Sequence, residues 1–170
     1  ESTITVVLPL FAQFTRRNLL LTGRMWGLVL VANIAGTFFA ALYCSYVPVI
    51  SPEFLQSMVA ISREAMAHGW WSMLFRGITA GFLIAAMVWL IPSAKGSEFE
   101  VVVVMTYLIA LGGSAHIVAG SVEGFLLVLS DKFPIGTMVW DFMVPALAGN
   151  IIGGTALFAL ISSAQVMEEM

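Results

Sequence analysis

The residues best suited to chemistry cluster around His116, inside a long apolar stretch of the chain. Gly112 and Gly113 stand side by side shortly before it, and Ser114 follows them. Paired glycines favour a break in a helix, and a membrane tolerates a break only where the freed backbone groups are buried in protein or line a cavity. A histidine at that depth is costly and usually functional, because its imidazole exchanges protons near neutral pH. The pattern therefore predicts a broken transmembrane helix whose His116 faces a pathway.

The ends of such a broken helix can attract an anion. Half-helix N-termini near the membrane midplane present free N–H groups and the positive end of the helix dipole. The competing interpretation is that Gly112, Gly113 and Gly120 only allow close helix packing, with His116 bonded to a neighbouring helix. An intramembrane enzyme is not expected, because Ser114 and His116 would point to different faces of a helix.

Three further polar side chains are candidates for the same pathway. Asn33 and Asn150 each stand in the middle of an apolar stretch. Their amides can hold broken segments by bonding to carbonyls or can contact a substrate directly, and both interpretations stay open. Glu123 follows His116 by about two helical turns on the same face. It is either a vestibule carboxylate or a structural partner of a nearby cation, Arg76 or Lys132, and we favour the structural role.

The remaining candidates do not indicate metal or redox chemistry. Glu64 and His68 have the spacing of two metal ligands on a helix, but a solvated loop face is the preferred interpretation. Cys44 is the single cysteine, so neither an internal disulfide nor a cysteine metal cluster is expected. We expect no metal and no cofactor.

The composition places these residues in a lipid bilayer. Hydrophobic residues make up 60% of the 170 positions and charged residues only 10%, whereas a soluble domain carries about 25% charge. The net charge of −3 is too small to suggest a nucleic-acid partner. An all-α membrane protein is therefore expected.

Four apolar stretches are long enough to cross a bilayer core of about 30 Å. A further segment, 3–14, covers only part of a span, and all of them belong to a single transmembrane domain over 1–170. The four stretches are 27–49, 73–91, 101–129 (interrupted near 110–116) and 142–161.

The basic residues predict the orientation of these spans. Arg16–Arg24 would form a link after the first segment, and Lys95 lies in the turn after 73–91. The positive-inside rule places both in the cytoplasm. The 51–71 connection is then periplasmic and the C-terminus cytoplasmic.

An internal repeat is visible in the pattern Asn-Ile-x-Gly, which occurs in 31–37 and again in 148–155. Alternation runs the first of these helices outward and the second inward, as in inverted-topology repeats. Two three-helix halves are therefore predicted, of which the first lacks its first helix and half of its second. The counterpart of the break at His116 would lie before Glu1.

Several short motifs together resemble one family of membrane proteins. Their residues are Gly23-Arg-Met-Trp26 with Asn33-Ile-Ala-Gly36, similar to a third helix, Ala85-Ala-Met-Val-Trp89, similar to the end of a fourth, and Ala148-Gly-Asn-Ile-Ile-Gly-Gly154, similar to a sixth. The family is the formate/nitrite transporters, with His116 on its central histidine and Asn150 on its pore asparagine. The runs Ile109-Ala-Leu-Gly112 and Gly120-Ser-Val-Glu123 are similar to a divergent branch of it.

The resemblance implies an aquaporin-like protomer of six helices, a homopentamer with one pore per protomer, and passage of small monovalent anions across a bacterial inner membrane. A weak-acid anion would meet His116, and proton transfer would let the neutral acid cross apolar constrictions. Ile109 falls where the family often has a bulky apolar gate. The filter threonine of the second-helix loop would precede Glu1.

The chain departs from the family pattern around the histidine. Ser114 and Ala115 stand where an aromatic and an acidic residue are common, and Gly81 stands where an asparagine is common. Arg63 is only close to the position of the family's basic residue ahead of the fourth helix. The leading prediction is a channel or transporter for formate-like or nitrite-like anions with proton transfer at His116. A neutral small-solute pore and a non-conducting membrane assembly protein are the alternatives.

Overall fold

The computed structural model describes residues 6, 7, 10, 13–130 and 132–157, and all regular structure among them is helical. The predicted all-α architecture is confirmed for this part of the chain. The helix Trp70–Leu90 continues in a 3-10 turn to Ser93, and the helix Ile135–Leu157 contains wider π-type turns at Met138–Met143 and Ile152–Leu157. The helices are α1 (Arg16–Tyr46), α2 (Pro52–Met66), α3 (Trp70–Leu90), α4 (Glu98–Leu111), α5 (Ile117–Leu129) and α6 (Ile135–Leu157).

Three of the described helices are long and apolar enough to cross a membrane. They are α1, α3 with its 3-10 turn, and α6, with 31, 24 and 23 residues. The shorter α4 and α5, of 14 and 13 residues, follow one another across an interruption. Large apolar side chains such as Phe75 and Trp140 point outward, 63% and 65% exposed, which suits contact with lipid or with another subunit.

α1 begins well before the predicted span 27–49. Thr15 caps it, because its Oγ1 accepts a hydrogen bond from the Asn18 N–H at 3.1 Å. The basic segment Arg16–Arg24 is therefore helical, and its prediction as a link is wrong. Arginine has a high helix propensity, and its long side chain can carry its charge out to the headgroups. The predicted partial span 3–14 lies largely outside the described residues.

The connection predicted at 51–71 is mostly helix. Ser51 caps α2 by accepting the Phe54 N–H at 3.3 Å, and Pro52 takes the first helical position, where no N–H is needed. The helix is amphipathic, its Met66 is buried, and it packs on α5. This segment is part of the packed domain and not a solvated loop.

α6 begins at Ile135, earlier than the predicted span 142–161. Pro134 stands immediately before it, and a proline suits the start of a helix because its φ is already fixed near the helical value. The polar turn after α5 is correspondingly shorter than predicted. The C-terminal end of the predicted span lies outside the described residues.

α3 and α6 touch through their backbones. Gly77 and Gly81 on α3 face Gly149 and Gly153 on α6, so each helix contributes two glycines one turn apart. A Cβ at Gly77 would lie 2.9 Å from the Ala146 carbonyl oxygen, and Cβ atoms at the other three glycines would approach backbone atoms of the opposite helix more closely still. Small residues at this spacing allow such contact between membrane helices. Gly81 is thus a packing residue.

A small apolar core places α5 at the centre of the described helices. Phe38 of α1 packs edge-on against Phe125 of α5, with 5.2 Å between ring centroids. α2 and α6 contact α5 on its other sides. The buried cluster at this centre comes from α2, α3, α5 and α6, and its residues are Met66, Met73, Ile117, Leu127, Phe142 and Ala146.

Candidate functional site around the broken helix

The interruption between α4 and α5 covers residues 112–116. Gly113 has a φ of +56°, the left-handed conformation that glycine adopts without a steric penalty. Two hydrogen bonds close the last turn of α4 there. The Gly113 N–H donates to the Ala110 carbonyl at 3.0 Å, and the Ser114 N–H donates to the Ile109 carbonyl at 2.9 Å. The chain then enters α5 with extended backbone.

Arg76 of α3 is hydrogen-bonded to the interruption through both its side chain and its backbone. Its Nη1 donates to the Gly113 carbonyl at 2.5 Å, and its own carbonyl accepts the Ala115 N–H at 3.2 Å. Its Nε donates to the Ser72 hydroxyl at 3.3 Å. The sequence predicts Arg76 as a basic residue at a helix entrance and as one of two ion-pair partners of Glu123, not as a bond to the interruption. The signal that could have identified it is a charge within an otherwise apolar span, which is usually functional.

The Asn150 side chain of α6 is hydrogen-bonded to the interruption and to the start of α5. Its Oδ1 accepts the Ile117 N–H at 2.9 Å, which satisfies the first free donor of α5. Its Nδ2 donates to the carbonyls of Ala115 at 2.8 Å and Gly77 at 2.9 Å. The side chain is 6% exposed, and all three bonds go to backbone groups. The amide therefore ties α3, the interruption and α5 together.

His116 ends the interruption and caps α5. Its Nδ1 accepts the Ala119 N–H at 3.5 Å, and its carbonyl accepts the Gly120 N–H at 2.9 Å. With Nδ1 turned to the helix as an acceptor, Nε2 carries the proton of a neutral ring. In this state the ring can donate a hydrogen bond from Nε2, and it becomes a cation only when Nδ1 releases the Ala119 N–H and takes a second proton.

A cavity of about 700 Å³ opens beside the interruption. Residues of α2, α3, α4 and α5 line it, together with Phe142 of α6. It brings five of the predicted site residues together and leaves three outside its lining. Those that line it are Ile109, Gly113, Ser114, His116 and Glu123, and those outside it are Gly112, Asn33 and Asn150.

Charged side chains of both signs line the cavity. Glu64 and His68, interpreted above as a solvated loop face, both line the cavity on the side of α2. Glu64 is exposed near the C-terminal end of α2, so it is helical and not in a loop, and His68 lies in the bend that follows. Glu123 is half-buried in the lining and forms no ion pair with Arg76 or Lys132. The described residues contain no group of three side chains arranged to hold a metal ion.

The aromatic ring of Phe142 lines the cavity on its α6 side. The Phe142 ring lies where a Cβ of Gly120 would be, so the glycine makes room for the ring. Phe142 is 2% exposed and belongs to the π-type turn Met138–Met143. Such turns re-aim side chains and are frequent at functional sites.

The two copies of Asn-Ile-x-Gly have different surroundings. Asn33 is exposed, and its Nδ2 donates to the Val29 carbonyl of its own helix at 2.8 Å. Within the described residues, no atom of another helix lies within 4 Å of where a Cβ of Gly36 would be. Only the second copy, at Asn150 and Gly153, contacts another helix through both residues.

We expect Gly113→Ala to lower the free energy of unfolding by about 1–2 kcal/mol, which is the cost of a left-handed conformation in a non-glycine residue. The added Cβ would also meet the Arg76 guanidinium. SDS-driven unfolding in mixed micelles, followed by tryptophan fluorescence, measures this. Gly112→Ala is the matched control, since Gly112 has a φ of −75°. Equal losses in both variants would show that the left-handed backbone and the Arg76 contact are not the cause.

Comparison with known proteins agrees with the resemblance noted above. The chain is 42% identical to the inner membrane protein YfdC of Escherichia coli (strain K12) over 170 residues, which is 100% of this chain and 55% of that protein. It is 23% identical to the uncharacterized transporter YrhG of Bacillus subtilis (strain 168), over 80% of this chain and 52% of that protein. It is 28% identical to a formate-nitrite transporter of Entamoeba histolytica, over 78% of this chain and 38% of that protein.

The chain spans about half the length of the curated relatives it matches. No solved structure matches it. The family profile described as Formate/nitrite transporter matches residues 1–164. With that coverage, and with the identity to YfdC, the chain belongs to the formate/nitrite transporter family.

Proposed function

We propose that this protein carries small monovalent anions, formate-like or nitrite-like, across the membrane through the cavity beside the interruption. The observation that supports this best is the opening of His116, at the N-terminus of α5, into a cavity that Arg76 also lines. The positive end of the α5 dipole favours an anion at that point. The name of the Entamoeba histolytica relative, a formate-nitrite transporter, points to the same substrate class.

A proton transfer at His116 would solve the problem of moving a charge through an apolar passage. Once Nδ1 has released the Ala119 N–H and taken a proton, the charged ring would donate its Nε2 proton to an oxygen of a bound weak-acid anion, leaving a neutral acid and a neutral imidazole that keeps its proton on Nδ1. The neutral acid can pass apolar side chains such as Ile109 and Phe142, which line the same cavity, at far lower cost than the anion. A proton taken up from the aqueous phase would then restore the charge of the ring.

The assembly and location of the protein are part of the same proposal. The E. coli relative is named an inner membrane protein, which supports a bacterial inner membrane location. The positive-inside rule supports a cytoplasmic C-terminus. A homopentamer rests on the family resemblance and accords with the outward-facing apolar side chains of α1, α3 and α6.

The proposal is tested by flux of formate, nitrite, chloride and glycerol into liposomes that contain the full-length protein, at about pH 5 and pH 7. We expect formate and nitrite to enter faster than chloride and glycerol. His116→Phe is expected to lower formate flux by about tenfold or more, because the proton donor is lost. Thr79→Val is the control, since Thr79 is exposed on α3 and bonds only to its own helix.

Each other result points to one alternative. Glycerol flux that matches formate flux and is unchanged in His116→Phe would indicate a neutral-solute pore. No flux of any solute through a folded protein would indicate a non-conducting assembly role.

A further inference from the structure

The guanidinium of Arg76 is only partly used by the protein. Its five N–H donors include one bonded to Ser72 and one bonded to the Gly113 carbonyl. Within the described residues no acceptor bonds to Nη2, and no carboxylate forms an ion pair with the side chain. Arg76 is half-buried and lines the cavity. Its remaining N–H groups, those of Nη2 and the second one of Nη1, form a free edge that is available to a ligand there.

The hydrogen bonds of Arg76 do not require a positive charge, although a cation at the C-terminal end of α4 also offsets the negative end of the helix dipole. Holding the Gly113 carbonyl requires a hydrogen-bond donor, and a neutral amide would supply one. A permanent cation in an apolar helix is costly and usually marks a ligand or ion pathway. The acidic side chains that line the same cavity, Glu64 and Glu123, do not neutralise it through an ion pair.

We propose that the free edge of Arg76 is a recognition subsite for a planar monovalent oxyanion, such as a carboxylate or nitrite. The inference rests on the proposed function and names the residue that selects its substrate. A guanidinium matches two oxygens of a planar anion in a way that a spherical halide cannot. Because the same side chain holds Gly113, an anion on Arg76 lies next to the segment that carries His116.

Chemical modification tests the subsite without any transport. The full-length protein in liposomes is treated with 2,3-butanedione, which reacts with arginine, and the modified positions are counted by mass spectrometry. We expect saturating formate to slow modification of Arg76 about tenfold, and glycerol to leave it unchanged. Arg63 is the internal control, because it is exposed on α2 and does not line the cavity. Arg76 that does not react, or reacts equally with and without formate, would overturn the subsite.

Flux through charge variants tests the same subsite independently. Arg76→Gln removes the charge and keeps a neutral amide donor, which stands at the position of Nε and two bonds short of the Nη1 that bonds to the Gly113 carbonyl. We expect formate flux to fall about tenfold or more, as for the loss of a charge-assisted hydrogen bond, and glycerol leak to stay the same. Arg76→Lys restores the charge without the planar edge. Compared with Arg76→Gln, it should therefore raise chloride flux more than formate flux. Unchanged formate flux in Arg76→Gln would contradict the proposal.

The two proposals fail separately. Protection of Arg76 by formate in a wild-type protein that carries no anion would support the subsite and refute the transport of formate. Anion flux that needs His116, without protection of Arg76, would support transport and refute the subsite.

Discussion

Replacing Asn150 with leucine is expected to lower the free energy of unfolding by roughly 3 kcal/mol or more, because three backbone groups lose their partner at about 1 kcal/mol or more each. The Ile117 N–H and the carbonyls of Ala115 and Gly77 are left inside protein and membrane, without water to replace the amide. Leucine branches at the same Cγ atom and leaves no cavity, but its methyl groups are larger than the amide atoms, so the loss contains an overpacking contribution as well as the lost hydrogen bonds. SDS-driven unfolding in mixed micelles measures it.

The Thr79→Val variant serves as the control for Asn150→Leu. The Thr79 hydroxyl donates only to the Phe75 carbonyl of its own helix at 3.3 Å and is exposed. Its removal should change the free energy of unfolding by less than about 0.5 kcal/mol. Similar losses in the two variants would mean that the bonds of Asn150 do not stabilise the fold.

Gly149→Val is expected to prevent native packing of α3 against α6. Its Cβ would meet the Leu74 carbonyl and lie 2.8 Å from Gly77 Cα and from Ile78 N. These are backbone atoms and cannot rotate away, so the helices must separate. We expect a loss of roughly 3 kcal/mol or more, at the upper end of overpacking effects. The measurement is the yield of monodisperse protein together with SDS-driven unfolding.

The same substitution elsewhere on α6 separates crowding from the lower helix propensity of valine. Among the described residues, no atom outside the neighbouring positions and the local helix backbone lies within 4 Å of where a Cβ of Gly136 would be, so Gly136→Val should be tolerated. Because Asn150 directly follows Gly149, separation of the helices should also break the bond from Asn150 to Gly77. A Gly149→Val protein as stable as Gly136→Val would show that α3 and α6 do not pack through these glycines.

Local sequence was sufficient to predict several features. The apolar runs are long enough to require lipid, so an all-α membrane protein follows from composition and length alone. The break at Gly112 and Gly113 was predictable because glycine is the residue that adopts a positive φ without strain, and Gly113 does so. Family membership was also predictable, since the motifs around His116 and Asn150 are short and contiguous.

Tertiary contacts decided what surrounds that break. Asn150 bonds to Gly77, 73 positions away, and Arg76 bonds to Gly113, 37 positions away, and no local pattern encodes such pairs. Glu64 and His68 join the cavity only because α2 packs on α5. Hydropathy and spacing therefore determined which segments enter the membrane and where one of them breaks. The partners of the free donors and acceptors at the break depend on which helices can approach each other, and the glycines of α3 and α6 set that approach.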